Sequence, residues 1–325
     1  MATFPRLPKE VIVEVLSYLS YDTLESLAWT LKHPITEISI SLLQPIFKSR
    51  RDTKRLIERL GPLQTQSFNA LRQDFIEGPE FLECLGLSPQ TVVKLPPDSQ
   101  LPNLDYLHLC GDFKWLEPLT GILAEITESK YAGPAVRDSS YDDLISSADR
   151  IGVTLPPAFL KFIQDEKLQR RMPSAGDYFC LELGGLRKVP KSLDGGVGGY
   201  KIIFLSEHEG AYLFSLYIEP GKKGASCVLQ EFRPGHWGYE CHHQHERGDG
   251  GNPDCPNITD QDRQDAKEMG VDIVNNPCAD FSLVGVDFET WLATRYYRES
   301  LWHSVSSTAG DVPGLKEYVK RELIQ

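Results

Sequence analysis

The sequence predicts an α+β fold: an N-terminal helical module and helical connector, followed by an antiparallel sheet covered by helices. Three observations predict it. Apolar residues recur at helical spacing through most of the chain before about residue 165. Between Tyr178 and Phe232 the period shortens to that of strands, in four runs rich in aromatic and β-branched residues. From Phe288 a helical stripe returns. Strands grouped together, rather than alternating one by one with helices, read as a mostly antiparallel sheet with helices packed on it.

Composition sets the bounds. At 325 residues, 41% hydrophobic and 25% charged, the chain has globular composition and room for two ordinary domains. A net charge of −12 argues against nucleic acid as a partner. The basic cluster from Lys48 to Arg55 reads as the solvated face of a helix. No run reaches the ~18 apolar residues of a membrane span, and no secretory signal is visible, so no membrane partner is expected. The expected location is the cytoplasm or nucleus. Seven cysteines, an odd number with no Cys-x-x-Cys pair, read as reduced thiols.

The first element starts at Pro8, a residue suited to the first turn of a helix. Val11, Ile12, Val15, Leu16 and Leu19 form one stripe. Asp22 and Glu25 make a capping box for a second helix carrying Leu24, Leu27, Ala28 and Leu31. A third helical stretch places Ile35, Ile38, Leu42 and Leu43 inward until Pro45. The module spans 1–50, and a helical connector follows over 51–138. It contains a helix closed by Gly61-Pro62, a second ended near Gly86, and a leucine-rich stretch from Leu101 to Leu116 that packs as a strand or turn. That stretch offers one leucine-rich unit, and a solenoid needs at least ~3.

The pattern Leu7-Pro8-x-Glu10-Val11-Ile12, Leu16-Ser17-Tyr18-Leu19, Asp22-x-Leu24 and Leu27-Ala28 resembles an F-box. That family docks on the adaptor subunit of cullin-type ubiquitin ligases. The resemblance implies that Leu7, Pro8, Val11, Ile12, Val15, Leu16, Leu19, Leu24 and Leu27 meet a ligase adaptor protein. Beyond Ala28 the match fades into "WTLKHPITEISIS", which lacks the family's usual aromatic or basic ending. The other reading of the same stripes is a helical hairpin packed on its own domain.

The second unit is expected over 139–303. A helix holds Tyr141, Leu144, Ile145 and Ala148 inward, and Leu155-Pro156-Pro157 breaks it. A short helix then carries Phe159, Leu160, Phe162 and Ile163. Strands are expected at 178–183, 200–207, 211–219 and 226–232. Alternation puts Tyr212, Phe214, Leu216 and Ile218 on one face of the third strand, with Leu213, Ser215 and Tyr217 on the other. Residues 235–279 read as a polar insertion loop. Asp287 then caps a helix burying Phe288, Trp291, Leu292 and Tyr296, and 304–325 form a tail.

The order Ile151-Gly152-x-x-Leu155-Pro156, Phe159-Leu160-x-Phe162-Ile163, Ile203-Phe204-Leu205, a turn ending at Gly210, Val228-Leu229 and Phe288-x-x-Trp291-Leu292 resembles the SUKH superfamily. Its members include toxin-immunity proteins, fungal cell-wall signalling regulators and distal domains of some F-box proteins. The resemblance implies a non-catalytic domain that binds other proteins on a curved sheet.

Three stretches could carry chemistry of their own. Cys241, His243, His245 and Cys255 are residue types that zinc prefers, yet their spacing fits no standard finger, so no metal or other cofactor is assigned. The "DGGVGG" turn from Asp194 to Gly199 precedes a strand rather than a helix and reads as a flexible turn, not a phosphate loop. Tyr217, with Trp237 and Tyr239, is a candidate anchor for a protein target on the open face or rim of the sheet; the other reading of Tyr217 packs it under the polar loop. The function expected is a non-catalytic substrate receptor of a cullin-type ubiquitin ligase, with a ligase adaptor and an unknown protein target as partners. The alternatives are a SUKH-type signalling or scaffold regulator without a ubiquitin role and, third, a metal-dependent enzyme.

Overall fold

The computed structural model describes residues 56, 79–93, 104–107, 109–130, 138–173, 180–181, 183–189, 191, 194, 196–206, 212–221, 225–232, 260–273, 281–303 and 309–324. The expectations for the module at 1–50, and for Trp237, Tyr239, Cys241, His243, His245 and Cys255, lie outside the described residues.

The described chain is α+β. Its helices are α1 (Pro79–Cys84), α2 (Gly121–Lys130), α3 (Asp138–Ile151), α4 (Pro157–Gln164) and α5 (Glu166–Gln169). Strands β1 (Cys180–Leu181), β2 (Arg187–Lys188), β3 (Tyr200–Ser206), β4 (Tyr212–Ile218) and β5 (Ser226–Phe232) follow. Then come α6 (Asp260–Glu268), β6 (Asp272–Ile273), β7 (Phe281–Gly285), α7 (Phe288–His303) and α8 (Leu315–Tyr318), which runs on into a π-helical turn, Val319–Leu323. The sheet has the order β6-β2-β3-β4-β5-β7, with β1 beside β3. Its pairings are antiparallel except for the short parallel contact of β2 with β6.

Local chemistry sets the ends of the elements. Gly152 ends α3 in the left-handed region, φ 70°, while Val153 N–H reaches back to the Ala148 carbonyl at 2.9 Å. That is the Schellman close, which a side chain at Gly152 would strain. Asp287 caps α7 as expected: its carboxylate accepts from Thr290 N at 2.7 Å and from Thr290 Oγ1 at 2.9 Å.

The main core lies between the helices and one face of the sheet. Phe159, Phe162 and Ile163 on α4 face Phe204 on β3, Phe214 on β4, and Phe288 and Trp291 on α7, all at most 3% exposed. Phe204 aligns at a bulge, since the β3–β4 register slips between Ile203 and Leu205. A bulge turns neighbouring side chains to one side, which accounts for both Phe204 and Leu205 entering this core.

Three expected boundaries are corrected. The connector and the main unit share one core: Phe81, Leu82, Phe113, Trp115, Leu116 and Leu123 are buried in the same cluster as Phe204 and Trp291. The expected tail is structural as well. Leu315, Tyr318 and Val319 are at most 1% exposed, and Tyr318 stacks on Tyr297 at 4.7 Å between ring centroids. The 235–279 stretch is not all loop, since it contains α6 and β6, and β7 closes the sheet after it. Helix α6 has no apolar stripe to betray it in its sequence, DQDRQDAKE, where Ala266 is the one buried side chain among the described residues.

Candidate functional site

The second face of the sheet, away from the main core, is the best-defined candidate site. Strand alternation sorts β4 as expected: Phe214, Leu216 and Ile218 enter the main core, and Tyr217 enters a second, smaller cluster. On β5, Val228 turns to the main core while Cys227, Leu229 and Glu231 turn the other way. The second cluster contains Val189, Tyr217, Ala225, Cys227, Leu229 and Leu283, joined by Leu56 from the N-terminal third of the chain.

A buried charge network spans the face beside this cluster. Lys201 Nζ lies 2.6 Å from Glu231 Oε1, and Ser215 Oγ–H donates to the same carboxylate oxygen. Lys201, Ser215 and Glu231 are at most 4% exposed. Two opposite charges taken from water together must satisfy one another, and here the serine adds a further donor. Chemically the network locks β3, β4 and β5 in register and presents almost no surface to solvent. A charged residue in line with Cys227 and Leu229 on an otherwise apolar strand face was the sequence signal for it.

Of the two readings of Tyr217, the exposed target anchor is corrected: the residue is 1% exposed and its hydroxyl donates to Asp194 Oδ2 at 2.9 Å. Burial first, and then the Asp194 carboxylate, hold that hydroxyl far above the usual tyrosine range. The same carboxylate accepts from Gly198 N at 2.9 Å and from Gly199 N at 2.8 Å. The Asp194 carboxylate therefore holds the Gly198–Gly199 end of the glycine-rich turn. A Cβ on Gly199 would stand 2.2 Å from Tyr217 Oη, so the tyrosine packs where only glycine leaves room.

On the helical side, a second polar centre holds the Cys110–Trp115 loop. Glu289, in the first turn of α7, accepts from Gly111 N at 2.6 Å and from Trp115 Nε1 at 2.9 Å. Lys161 on α4 donates to the Asp112 carbonyl at 3.0 Å. Between these grips Phe113 sits at φ 59°, a left-handed conformation costing a non-glycine residue roughly 1–2 kcal/mol. Its ring is 1% exposed against Phe162, and that burial offsets the strain.

Burial raises the Glu289 carboxyl above its ordinary value of 4.5, opposed by the hydrogen bonds from Trp115 and Gly111. A carboxyl with a raised folded-state value loses stability as pH climbs, because the unfolded chain ionises first. The stability advantage of the native protein over Glu289→Gln is therefore expected to shrink as pH rises from below 4.5 through the raised value. Urea unfolding of both proteins across that range checks it. A gap that widens with pH would contradict the burial argument.

Cys84, Cys110 and Cys227 carry free thiols. Among the described residues no group of three His, Cys, Asp or Glu side chains is placed to hold a metal ion. No described helix is long and apolar enough to cross a membrane. Comparison with family models, curated proteins and solved structures returned no match for this chain.

Proposed function

We propose that this chain is a non-catalytic adaptor: an F-box-like module at 1–50 docks on the adaptor subunit of a cullin-type ubiquitin ligase, and the SUKH-like α+β unit holds a protein target. The mechanism is proximity. Transfer chemistry belongs to the partner enzymes, and this chain supplies distance and specificity, raising the local concentration of the target.

One observation carries the reading of the α+β unit. Four aromatic residues among those on which the SUKH resemblance rests, Phe159, Phe204, Phe288 and Trp291, lie up to 132 positions apart in sequence and meet in one cluster. Phe204 lies 5.8 Å from Phe159, 5.5 Å from Phe288 and 4.9 Å from Trp291 between ring centroids. This convergence supports a helix-backed sheet of the kind the resemblance implies, and a protein-binding role comes with that resemblance.

Co-expression with a ligase adaptor subunit tests the module. The native chain is expected to co-purify with it, and a Val11→Asp, Leu16→Asp double variant is expected to lose at least about tenfold in affinity, since each change places a charge on the apolar stripe. Equal recovery of both proteins would sink the assignment.

A further inference from the structure

Helix α6 and strand β6 form an arm that holds to the end of the sheet by few contacts. Ala266 is its buried side chain among the described residues, and Met269 and Val271 pack half-buried against the main core. Gly270 closes the helix at φ 62°, where Val271 N–H reaches back to the Ala266 carbonyl at 3.1 Å. Arg150 on α3 donates to the Gly270 carbonyl at 3.2 Å, at the surface. β6 then adds two residues beside β2 and is the outermost strand on that side among the described residues.

A single hydrogen bond joins this arm to the interior of the sheet. The Tyr200 hydroxyl donates to Met269 Sδ at 2.8 Å. Tyr200 is 3% exposed on β3, pairs with Lys188 on β2 and Ile218 on β4, and lies under the Lys188 ammonium at 4.5 Å. Burial first, and then Asp265 on α6, hold its hydroxyl above the ordinary tyrosine value, so it stays a donor at neutral pH.

We propose that Met269 is an oxidation site and that its conversion to the sulfoxide unlatches α6 and β6 from the end of the sheet. The oxidant is a peroxide. A sulfur lone pair attacks one peroxide oxygen and the O–O bond breaks. With hydrogen peroxide, the proton of the transferred hydroxyl joins the departing hydroxide as water. The sulfur loses two electrons and the peroxide gains them. Met269 keeps some exposure, which a small oxidant needs. The product adds an oxygen to an atom that Tyr200 already meets at 2.8 Å, and it makes an apolar contact of the core polar. Tyr200 cannot give way, because its strand is paired on both sides. The arm can, since one buried side chain and a two-residue strand hold it. A methionine sulfoxide reductase would restore the latch.

Hydrogen peroxide applied to the full-length chain, read by mass spectrometry, tests both steps. The chain has three methionines, at 1, 172 and 269, so Met172→Leu serves as the background. It is compared with Met172→Leu, Met269→Leu, in which leucine keeps the volume, forms no sulfoxide and leaves any cysteine oxidation the same. Amide exchange over 260–273 is expected to rise at least tenfold in the protein carrying Met269 sulfoxide and not in the leucine variant, with 288–303 unchanged in both. Met269→Gln, which brings a polar oxygen without oxidant, is expected to reproduce the rise. Equal exchange in the two treated proteins would overturn the proposal. So would a rise over 288–303 as large as that over 260–273, because the whole fold would then have opened. A Met269 that stays unoxidised in the folded chain, under conditions that convert it in urea, would overturn it as well.

Discussion

Phe204→Ala is expected to lower stability by about 3–5 kcal/mol, the range for truncating a fully buried phenylalanine in a core that relaxes only in part. The side chain is 1% exposed and sits where α4, β3 and α7 converge. It meets Phe159, Phe288 and Trp291 edge-on, the arrangement that aligns ring edges with ring faces and adds to simple burial. Because it occupies a bulge, the strand cannot slide a replacement residue into the space. For a chain of this size the loss corresponds to a melting temperature lower by roughly 10 °C. Phe204→Leu, which keeps most of the volume, is expected to recover more than half of it. A fall of under about 1 kcal/mol for the alanine variant would mean that the cluster is not the centre of the core.

Glu231→Ala is expected to cost a similar amount for a different reason. Removing the carboxylate leaves the Lys201 ammonium buried at 2% exposure without the charge that lies 2.6 Å away. Breaking a buried pair from one side costs about 3–5 kcal/mol, mostly through the stranded charge. Replacing both members together, as Lys201→Met with Glu231→Leu, removes the charge and its partner at once. That double variant is expected within about 1 kcal/mol of the native protein, or more stable. Urea denaturation of the two single variants and the double completes the cycle. Additive losses would show that the two side chains do not depend on one another.

The elements that bury a regular apolar stripe were legible in the sequence. Strand β5 spans Ser226–Phe232 as expected, and α7 buries Phe288, Trp291, Leu292 and Tyr296 behind its Asp287 cap. Periodicity states which residues turn inward because one face of such an element is dry. It could not place β2 or β6, each two residues long, because two positions contain no period. Nor could it separate a solvated strand face from a covered one. Tyr217 was put on the correct side of β4, but Leu56, Val189 and Asp194 pack on that side too. The site residues that sequence reasoning missed, Asp194, Lys201, Glu231 and Glu289, are all buried polar groups. Their partners lie 23, 30, 30 and 178 positions away, in Tyr217, Glu231, Lys201 and Gly111. Local pattern has no access to pairings of that range.

Calorimetric titration of a purified ligase adaptor subunit into the full-length chain tests the central claim most directly. The account predicts one adaptor per chain with micromolar or tighter affinity, abolished by Val11→Asp with Leu16→Asp in a protein that unfolds at the native temperature. A folded native chain that takes up no adaptor at that concentration would contradict it.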